Sequence, residues 1–167
     1  MPLPPPSLKG RALRLLSTRE HSRTELERKL RRHEVEPGQL GKVLDELQAK
    51  GFIDAQRVVD SVVHQRAGKL GVARIRRELQ HKGVAGDAAA AALAALQATE
   101  LARARQVWRK KFGSRGGDDE MPEALDAAQR ARQMRFLASR GFAGDTIRRV
   151  VSGADELFDE TSDASGV

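Results

Sequence analysis

The sequence predicts an all-α protein built from three tandem copies of a three-helix unit. Apolar residues recur three and four positions apart along most of the chain, as they do on one face of a helix. Aromatic residues make up only 4% of the 167 residues, fewer than a β-sandwich or barrel of this size normally uses. A short motif also occurs three times. Stacked helical repeats bury one another's faces, so thin cores of Leu, Val, Ile and Ala are sufficient for such a fold.

The first unit shows the start and stop signals of three helices. A brief apolar stripe from Ala12 to Leu16 predicts the first helix. Ser22 and Glu25 have the spacing of a capping box, which predicts that the second helix starts there. Pro37 is expected at the first position of the third helix, which tolerates proline, and Gly51 is expected to end that helix.

The second unit begins with valines, which favour strands, in a pattern that favours a helix. Pairs four apart within Val58–Val63 predict one apolar helical face. Ile75 and Leu79 belong to the next stripe, which Gly83 is expected to end. Asp87 is expected to cap an alanine-rich third helix, which forms readily but offers little apolar area to a core.

The third unit contains the only tryptophan of the chain. Trp108 and Phe112 lie four apart, and we interpret them as core residues rather than as a platform for stacking bases. An acidic, glycine-containing loop is predicted at Gly113–Glu120, followed by a helix that starts near Pro122. Asp145 is expected to cap a last short helix.

The repeated motif lies in the middle of each unit. A helix ends on a leucine, a turn residue follows four positions later, and an apolar residue comes next. We expect this apolar residue to fold back onto the helix, as in Schellman-type caps. The three copies are Leu30 with Glu34 and Val35, Leu79 with Gly83 and Val84, and Leu137 with Gly141 and Phe142.

These signals divide the chain into five segments. The proline-rich start cannot form a helix, and the acidic end is small and polar, so both are expected to be without fixed structure. The segments are a mobile leader at 1–9, three-helix units at 10–53, 54–99 and 100–153, and an acidic, disordered tail at 154–167.

The composition favours a polyanionic partner and argues against catalysis. The chain has 30 basic and 23 acidic residues, a net charge of +7 and a pI near 10.3. It has no cysteine, four scattered histidines, no phosphate-binding loop and no Gly-x-Ser-x-Gly motif, so we predict no enzyme, metal site or cofactor. No apolar run approaches the roughly 20 residues of a membrane span. We expect a cytoplasmic monomer that does not bind membranes.

Basic residues on the middle helix of each unit are the candidate partner-binding residues. In the second unit they follow a stripe with helical spacing, on the side away from Ile75 and Leu79. The alternative is that each is simply a solvated side chain on a helix surface. The candidates are Arg28, Arg31 and Arg32 in the first unit, Arg74, Arg77 and His81 in the second, and Arg132, Arg135 and Arg140 in the third.

The ordered set of motifs resembles the RecX family, the bacterial regulators of the RecA recombinase. The resemblance covers about residues 10–152. It rests on five stretches: Ala12-Leu-x-Leu-Leu16, Ser22-Arg-Thr-Glu-Leu-Glu-Arg-Lys-Leu30, Lys50-Gly-Phe-Ile-Asp54, Gly71-Val-Ala-Arg-Ile-Arg-Arg-Glu-Leu-Gln-His-Lys-Gly-Val84 and Phe136-Leu-x-x-Arg140-Gly-Phe142.

The resemblance implies an elongated, curved protein of three three-helix repeats. It also implies binding in the groove of the RecA–DNA filament, with inhibition of the recombinase, ATPase and coprotease activities of RecA and thus a role in regulating DNA repair and the SOS response. The basic surface could add contacts with the DNA backbone. From charge alone, a nonspecific nucleic-acid-binding helical protein and a passive helical scaffold remain alternatives.

Overall fold

The computed structural model describes residues 5–113 and 127–153, and every regular element in these ranges is a helix. The all-α class that the sequence predicts is therefore confirmed. The helices are α1 (Leu8–Leu16), α2 (Arg23–Leu30), α3 (Gln39–Ala49), α4 (Ala55–Arg66), α5 (Val72–His81), α6 (Asp87–Ala98), α7 (Glu100–Phe112), α8 (Ala127–Ser139) and α9 (Gly144–Ser152), with a 3-10 turn at Arg31–His33 after α2.

Several sequence predictions fall on residues that the structure does not describe. They are the first four residues of the leader, all but the first residue of the Gly113–Glu120 loop, the helix start near Pro122, and the acidic tail at 154–167. Helix α1 starts at Leu8, so the last two residues of the predicted leader belong to this helix.

The predicted capping box at Ser22 is confirmed, whereas three other helix starts differ from the prediction. The Ser22 hydroxyl accepts from the Glu25 amide at 3.2 Å, and the Glu25 carboxylate accepts from the Ser22 amide at 3.0 Å. Pro37 is not the first residue of α3, because Gly38, with φ of 82°, turns the chain immediately before the helix. Asp87, the predicted cap of α6, is the first residue inside that helix.

Asp145 is not the cap of α9. The capping position belongs to Ala143, and Asp145 lies one residue inside the helix, where it pairs with Arg148. A carboxylate in the first turn still interacts favourably with the positive end of the helix dipole. The acidic residue therefore stabilises this helix start electrostatically rather than as a cap.

The chain packs as two compact units. One comprises Met1–Val63 with Glu78–Ala92, and the other comprises His64–Arg77 with Leu93–Val167. Helices α4, α5 and α6 each contribute residues to both units. The second helix triplet consequently does not form a compact unit of its own.

The core cluster around α1, α2 and α3 in the first unit is mostly leucine, in keeping with the aromatic-poor composition. Leucines of α2 and α3 face one another, and Leu26, Leu44 and Leu47 are fully buried. Burying one such side chain contributes roughly 1.5–3 kcal/mol. The buried members of this core are Leu8, Ala12, Leu26, Leu30, Leu40, Leu44, Leu47 and Ile53.

The core of the second unit contains the aromatic residues of α7 and α8. Trp108 packs against this core, and its Nε1 donates to Oε1 of the buried Gln133 at 2.9 Å. Phe112 meets Phe136 edge to face, with ring centroids 5.3 Å apart. These contacts support the interpretation of Trp108 and Phe112 as packing residues.

The fold-back turn forms in two of the three motif copies. Gly83 has φ of 69°, and the amide of Val84 donates to the Leu79 carbonyl at 3.0 Å, which buries Val84. The third copy has the same arrangement at Leu137, Gly141 and Phe142.

The prediction is wrong for the first copy. Val35 is 87% exposed and does not return to α2. Glu34 occupies the position of the glycine, and a residue with a side chain rarely adopts a positive φ. The chain instead continues into the 3-10 turn and leaves it with Glu34 extended, at φ of −73°.

Candidate basic interaction surfaces

Apolar burial on one side of each middle helix decides which basic residues face outward. On α5, Ile75 and Leu79 are fully buried, and the residues a quarter turn or more away are exposed. Of the nine candidate residues, eight are exposed and one, Arg140, is half-buried. The exposed ones are Arg28, Arg31, Arg32, Arg74, Arg77, His81, Arg132 and Arg135.

In the first compact unit, the structure brings together candidates from two predicted repeats. Nη1 of Arg28 on α2 lies 3.2 Å from Nε2 of His81 at the end of α5. A guanidinium can only donate, so Nε2 of His81 accepts in this contact. Arg32 contacts His33 in the same way, at 3.2 Å.

In the second unit, Arg74 and Arg140 converge on the end of α8. Arg74 Nη1 donates to the Ser139 carbonyl at 3.2 Å. The Arg140 guanidinium lies 5.0 Å from the centre of the Phe136 ring, over its face. Both arginines therefore have intramolecular contacts and are weaker candidates for a purely external role.

The remaining candidates have no such contact. They are Arg31 after α2, Arg77 on α5, and Arg132 and Arg135 on α8. Their side chains make neither an ion pair nor a hydrogen bond to any residue that the structure describes. Their guanidinium groups are available to a partner. The structure does not bring Arg132 or Arg135 into contact with the other candidates.

A buried charge cluster anchors the start of α2. The Glu25 carboxylate accepts from Arg19 Nη2 at 2.9 Å and from Lys82 Nζ at 3.0 Å. Burial alone would raise the pKa of Glu25, but the hydrogen bonds from Arg19, the Ser22 amide and Lys82 outweigh it and lower the pKa to about 2. Glu25 is thus ionised at every pH above strong acid.

His21 lies beside this cluster and is 1% exposed. Its Nδ1 is 3.0 Å from the Arg19 carbonyl, which can only accept, so Nδ1 carries the proton. Its Nε2 is 3.3 Å from Lys29 Nζ and accepts from it. Burial, with the neighbouring charges of Arg19 and Lys29, lowers the pKa of His21, so the ring is held neutral.

Sequence reasoning missed the structural roles of Glu100 and Arg103, because their partners are distant in sequence. Arg103 donates to the carbonyls of Ala67, Leu70 and Leu96 at 2.9, 2.7 and 2.9 Å. Glu100 accepts from the Val72 amide at the start of α5, at 2.9 Å. Arg103 lies in the stretch from Leu101 to Arg115, which has six basic and no acidic residues, yet its charge stabilises loop and helix-end carbonyls.

The sequence analysis also missed that three further cations join Arg28 and Arg32. Helices α1 and α2 and the following 3-10 turn border an open groove of about 940 Å³ in the first unit. The sequence signal for this groove is the run of nine basic residues between Lys9 and Arg32. The residues lining the groove are Pro6, Gly10, Arg11, Arg14, Leu15, Arg28, Lys29, Leu30, Arg32 and His33.

Neither a metal-binding cluster nor a membrane span occurs within the described ranges. No group of three or more His, Asp or Glu side chains there could hold a metal ion. No described helix is long and apolar enough to cross a bilayer.

Fold and surface together define an all-α protein of three-helix domains that presents basic side chains and has buried polar networks for support. Models of three RecX domains match the chain: the first three-helix domain at residues 9–47, the second at 54–93 and the third at 98–151. The chain belongs to the RecX family of regulatory proteins. This family is regulatory and not enzymatic, which confirms that the chain is not an enzyme.

Curated relatives and solved structures agree with this assignment. The regulatory protein RecX of Leptothrix cholodnii is 53% identical over 153 residues, covering 92% of each chain. That of Ralstonia nicotianae is 42% identical over 160 residues, covering 96% of each. The crystal structure of RecX from Lactobacillus salivarius has the same fold, with a TM-score of 0.66 and 20% identity, over 89% of this chain and 95% of that one.

Proposed function

We propose that the protein binds the RecA–DNA filament and modulates RecA, mainly by inhibiting its recombinase, ATPase and coprotease activities, in the cytoplasm. The observation that carries this proposal is membership of the RecX family over nearly the whole chain, with 53% identity to a curated regulatory protein RecX.

The exposed arginines support a binding role for the middle helices. Arg77, Arg132 and Arg135 are exposed, and the described residues offer them no internal partner. Unpaired like charges repel one another, and they are easiest to retain where a partner supplies the opposite charge. A filament of DNA and protein offers phosphates and acidic side chains at regular intervals.

A nonspecific nucleic-acid-binding protein is the second candidate, favoured by the net charge of +7. Salt dependence separates the two candidates. Binding through about six phosphates should weaken on the order of 10³-fold between 50 and 200 mM salt. Filament binding that includes protein contacts should weaken less over the same range.

The test is ATP hydrolysis by RecA on single-stranded DNA, with the full chain added at substoichiometric amounts. Strong suppression supports the proposal, because one molecule bound to a filament can affect many RecA subunits. Unchanged hydrolysis combined with tight, salt-sensitive binding to bare DNA would overturn it in favour of the second candidate. Bare-DNA affinity is measured in the same buffer, so that sequestration of DNA is not mistaken for filament regulation.

A further inference from the structure

The groove between α1 and α2 gathers positive charge that no carboxylate of the described residues neutralises. Its basic lining consists of Arg11, Arg14, Arg28, Lys29 and Arg32, joined by His33. None of these cations forms an ion pair with a carboxylate in the described part of the chain, and no carboxylate lines the groove.

Other cations of the same unit are paired. Lys9 lies 2.6 Å from Glu46, Arg57 lies 3.0 Å from Glu20, and Arg23 bridges acids of α2 and α3. Several cations of this unit therefore have an acid beside them, whereas the cations of the groove do not. Segregation of unpaired cations in one concave surface concentrates the positive potential there.

The positive charges of the groove affect the pKa of a neighbouring histidine, His33. Partial burial and the charges of Arg11 and Arg32 lower the pKa of His33, so that its ring favours the neutral form. Lys29 Nζ and Arg28 Nη1 both point at histidine nitrogens, of His21 and His81, rather than at acids. The contacts of these two cations are therefore with ring nitrogens and not with carboxylates.

The lining also has an apolar part. Leu15 of α1 is half-buried and Pro6 is exposed, and both line the groove, while Leu30 lies buried beneath it. No aromatic side chain lines it, so bases of a single-stranded nucleic acid would find no stacking platform. A ligand that uses the whole groove needs anionic groups for the basic rim. It also needs an apolar group, which need not be aromatic, for the apolar part of the lining.

We propose that this groove binds an acidic peptide segment of a partner protein, in which Asp and Glu side chains flank an apolar residue. The carboxylates pair with arginines of the rim, where planar guanidinium groups can bind them bidentately. The apolar residue packs on Leu15 and Pro6. The proposal does not rest on filament binding, because the groove and its charges define the ligand without reference to RecA.

The test measures binding of a labelled synthetic peptide of about ten residues to the full chain by fluorescence anisotropy. In the probe, Asp and Glu flank a Leu-Phe pair, as they do at residues 155–160 of this chain. Arg14 is exposed and has no side-chain partner among the described residues, so Arg14→Glu tests charge at little structural risk. We expect a loss of affinity on the order of tenfold for Arg14→Glu, and a larger loss when Arg32→Glu is added.

Lys42→Glu is the matched control, because Lys42 is exposed on α3, outside the groove, and changes the net charge equally. It should lower affinity by less than about threefold. Equal losses for Arg14→Glu and Lys42→Glu would show nonspecific attraction and overturn the proposal. Circular dichroism checks that each variant keeps its helices.

Two further arms distinguish other ligands. A probe with Leu-Phe replaced by Ser-Ser should bind more weakly. If a single-stranded oligonucleotide bound more tightly than the peptide and depended equally on Arg14, the groove would be a nucleic-acid site and the proposal would be overturned. The full-length variant Asp155→Asn/Glu156→Gln/Asp159→Asn/Glu160→Gln should bind the probe as the parent does. Markedly tighter binding by that variant would make the chain's own acidic tail the occupant and overturn a partner peptide.

Discussion

A β-carbon on Gly141 would lie 2.7 Å from the β-carbon of Arg74 and 2.8 Å from its backbone nitrogen. This contact joins the turn after α8 to the start of α5. The Gly71 amide donates to the Arg140 carbonyl at 2.9 Å, and the Ala73 amide donates to the Gly141 carbonyl at 3.3 Å. The turn thereby provides acceptors for free amides at the start of another helix.

The first unit contains the equivalent contact. There the turn after α5 meets the start of α2, and a β-carbon on Gly83 would lie 2.2 Å from Thr24 Oγ1. The Ser22 hydroxyl donates to the Lys82 carbonyl in the same region. The glycine of the repeated motif is therefore needed for two reasons, a positive φ and a close approach to a neighbouring helix start.

Gly141→Ala should destabilise the protein more than Gly38→Ala, although both glycines have φ of 82°. A β-carbon at Gly38 meets nothing within 4 Å, so this variant should lose only the backbone strain, about 1 kcal/mol. Gly141→Ala adds a clash with backbone atoms and should lose about 3 kcal/mol. Urea denaturation of both variants measures the difference, and equal losses would contradict the proposed packing role.

Arg103→Lys should lower the free energy of unfolding by about 2 kcal/mol, because one ammonium group cannot reach all three carbonyls that the guanidinium binds. Arg132→Lys is the matched control: Arg132 is exposed, so the same exchange should change stability by less than about 0.5 kcal/mol. Thermal denaturation provides the comparison. If both variants melted alike, the carbonyl contacts of Arg103 would contribute nothing measurable.

Glu25→Gln should cost about 3 kcal/mol of stability at neutral pH and much less in acid. The pKa of Glu25 in the fold, about 2, lies below its ordinary value of 4.5. Its stabilising effect is therefore fully present above pH 4.5 and is lost as the pH falls towards 2. Denaturation of the parent and the variant from pH 7 to pH 3 should show the two curves converging. Glu36→Gln, at an exposed position, should show no such convergence.

His21 should make the fold less stable as the pH falls below 6.5. Its pKa in the fold is lowered, so the unfolded chain binds a proton in a range where the folded chain does not, and acid favours unfolding. Burial and the cations Arg19 and Lys29 oppose protonation, while Glu25 favours it. Lys29→Met should raise the pKa of His21 in an NMR titration. An unchanged titration would rule out electrostatic control by Lys29.

Arg77→Glu should weaken inhibition of RecA ATP hydrolysis, whereas Arg76→Glu should leave it nearly unchanged. The two residues are neighbours on α5 and both are exposed, but Arg77 shares the candidate stripe and Arg76 lies on the opposite flank. Each substitution changes the charge by the same amount. We expect the half-inhibitory concentration to rise about tenfold for Arg77→Glu alone, because one charge pair of the interface is lost. Equal effects of the two substitutions would contradict a stripe that faces the filament.

Arg74→Glu is a poorer test of the same idea. Its side chain also binds the Ser139 carbonyl, and its backbone packs against Gly141. A loss of inhibition in this variant could follow from a disturbed turn after α8. Inhibition by the double variant Arg74→Glu/Arg77→Glu should therefore be interpreted only by comparison with the single variant Arg77→Glu.

The local pattern of the sequence determined the helices and their capping. The 3.6-residue spacing of Leu, Val and Ile predicts which side of each helix is buried, and the Ser22–Glu25 box forms as its spacing requires. The same spacing predicts that Arg77 faces away from Ile75 and Leu79. These outcomes depend on residues within about two turns of one another, so no tertiary information is needed.

Only the tertiary structure decided how basic residues divide between binding and support. Arg103 and Arg77 are both arginines within helices, yet Arg103 binds carbonyls more than 30 positions away in the chain and Arg77 binds nothing among the described residues. The α1–α2 groove likewise depends on how two helices pack. Side-chain spacing defines a helix face, but the partner of that face is set by long-range contacts that single-sequence periodicity does not contain.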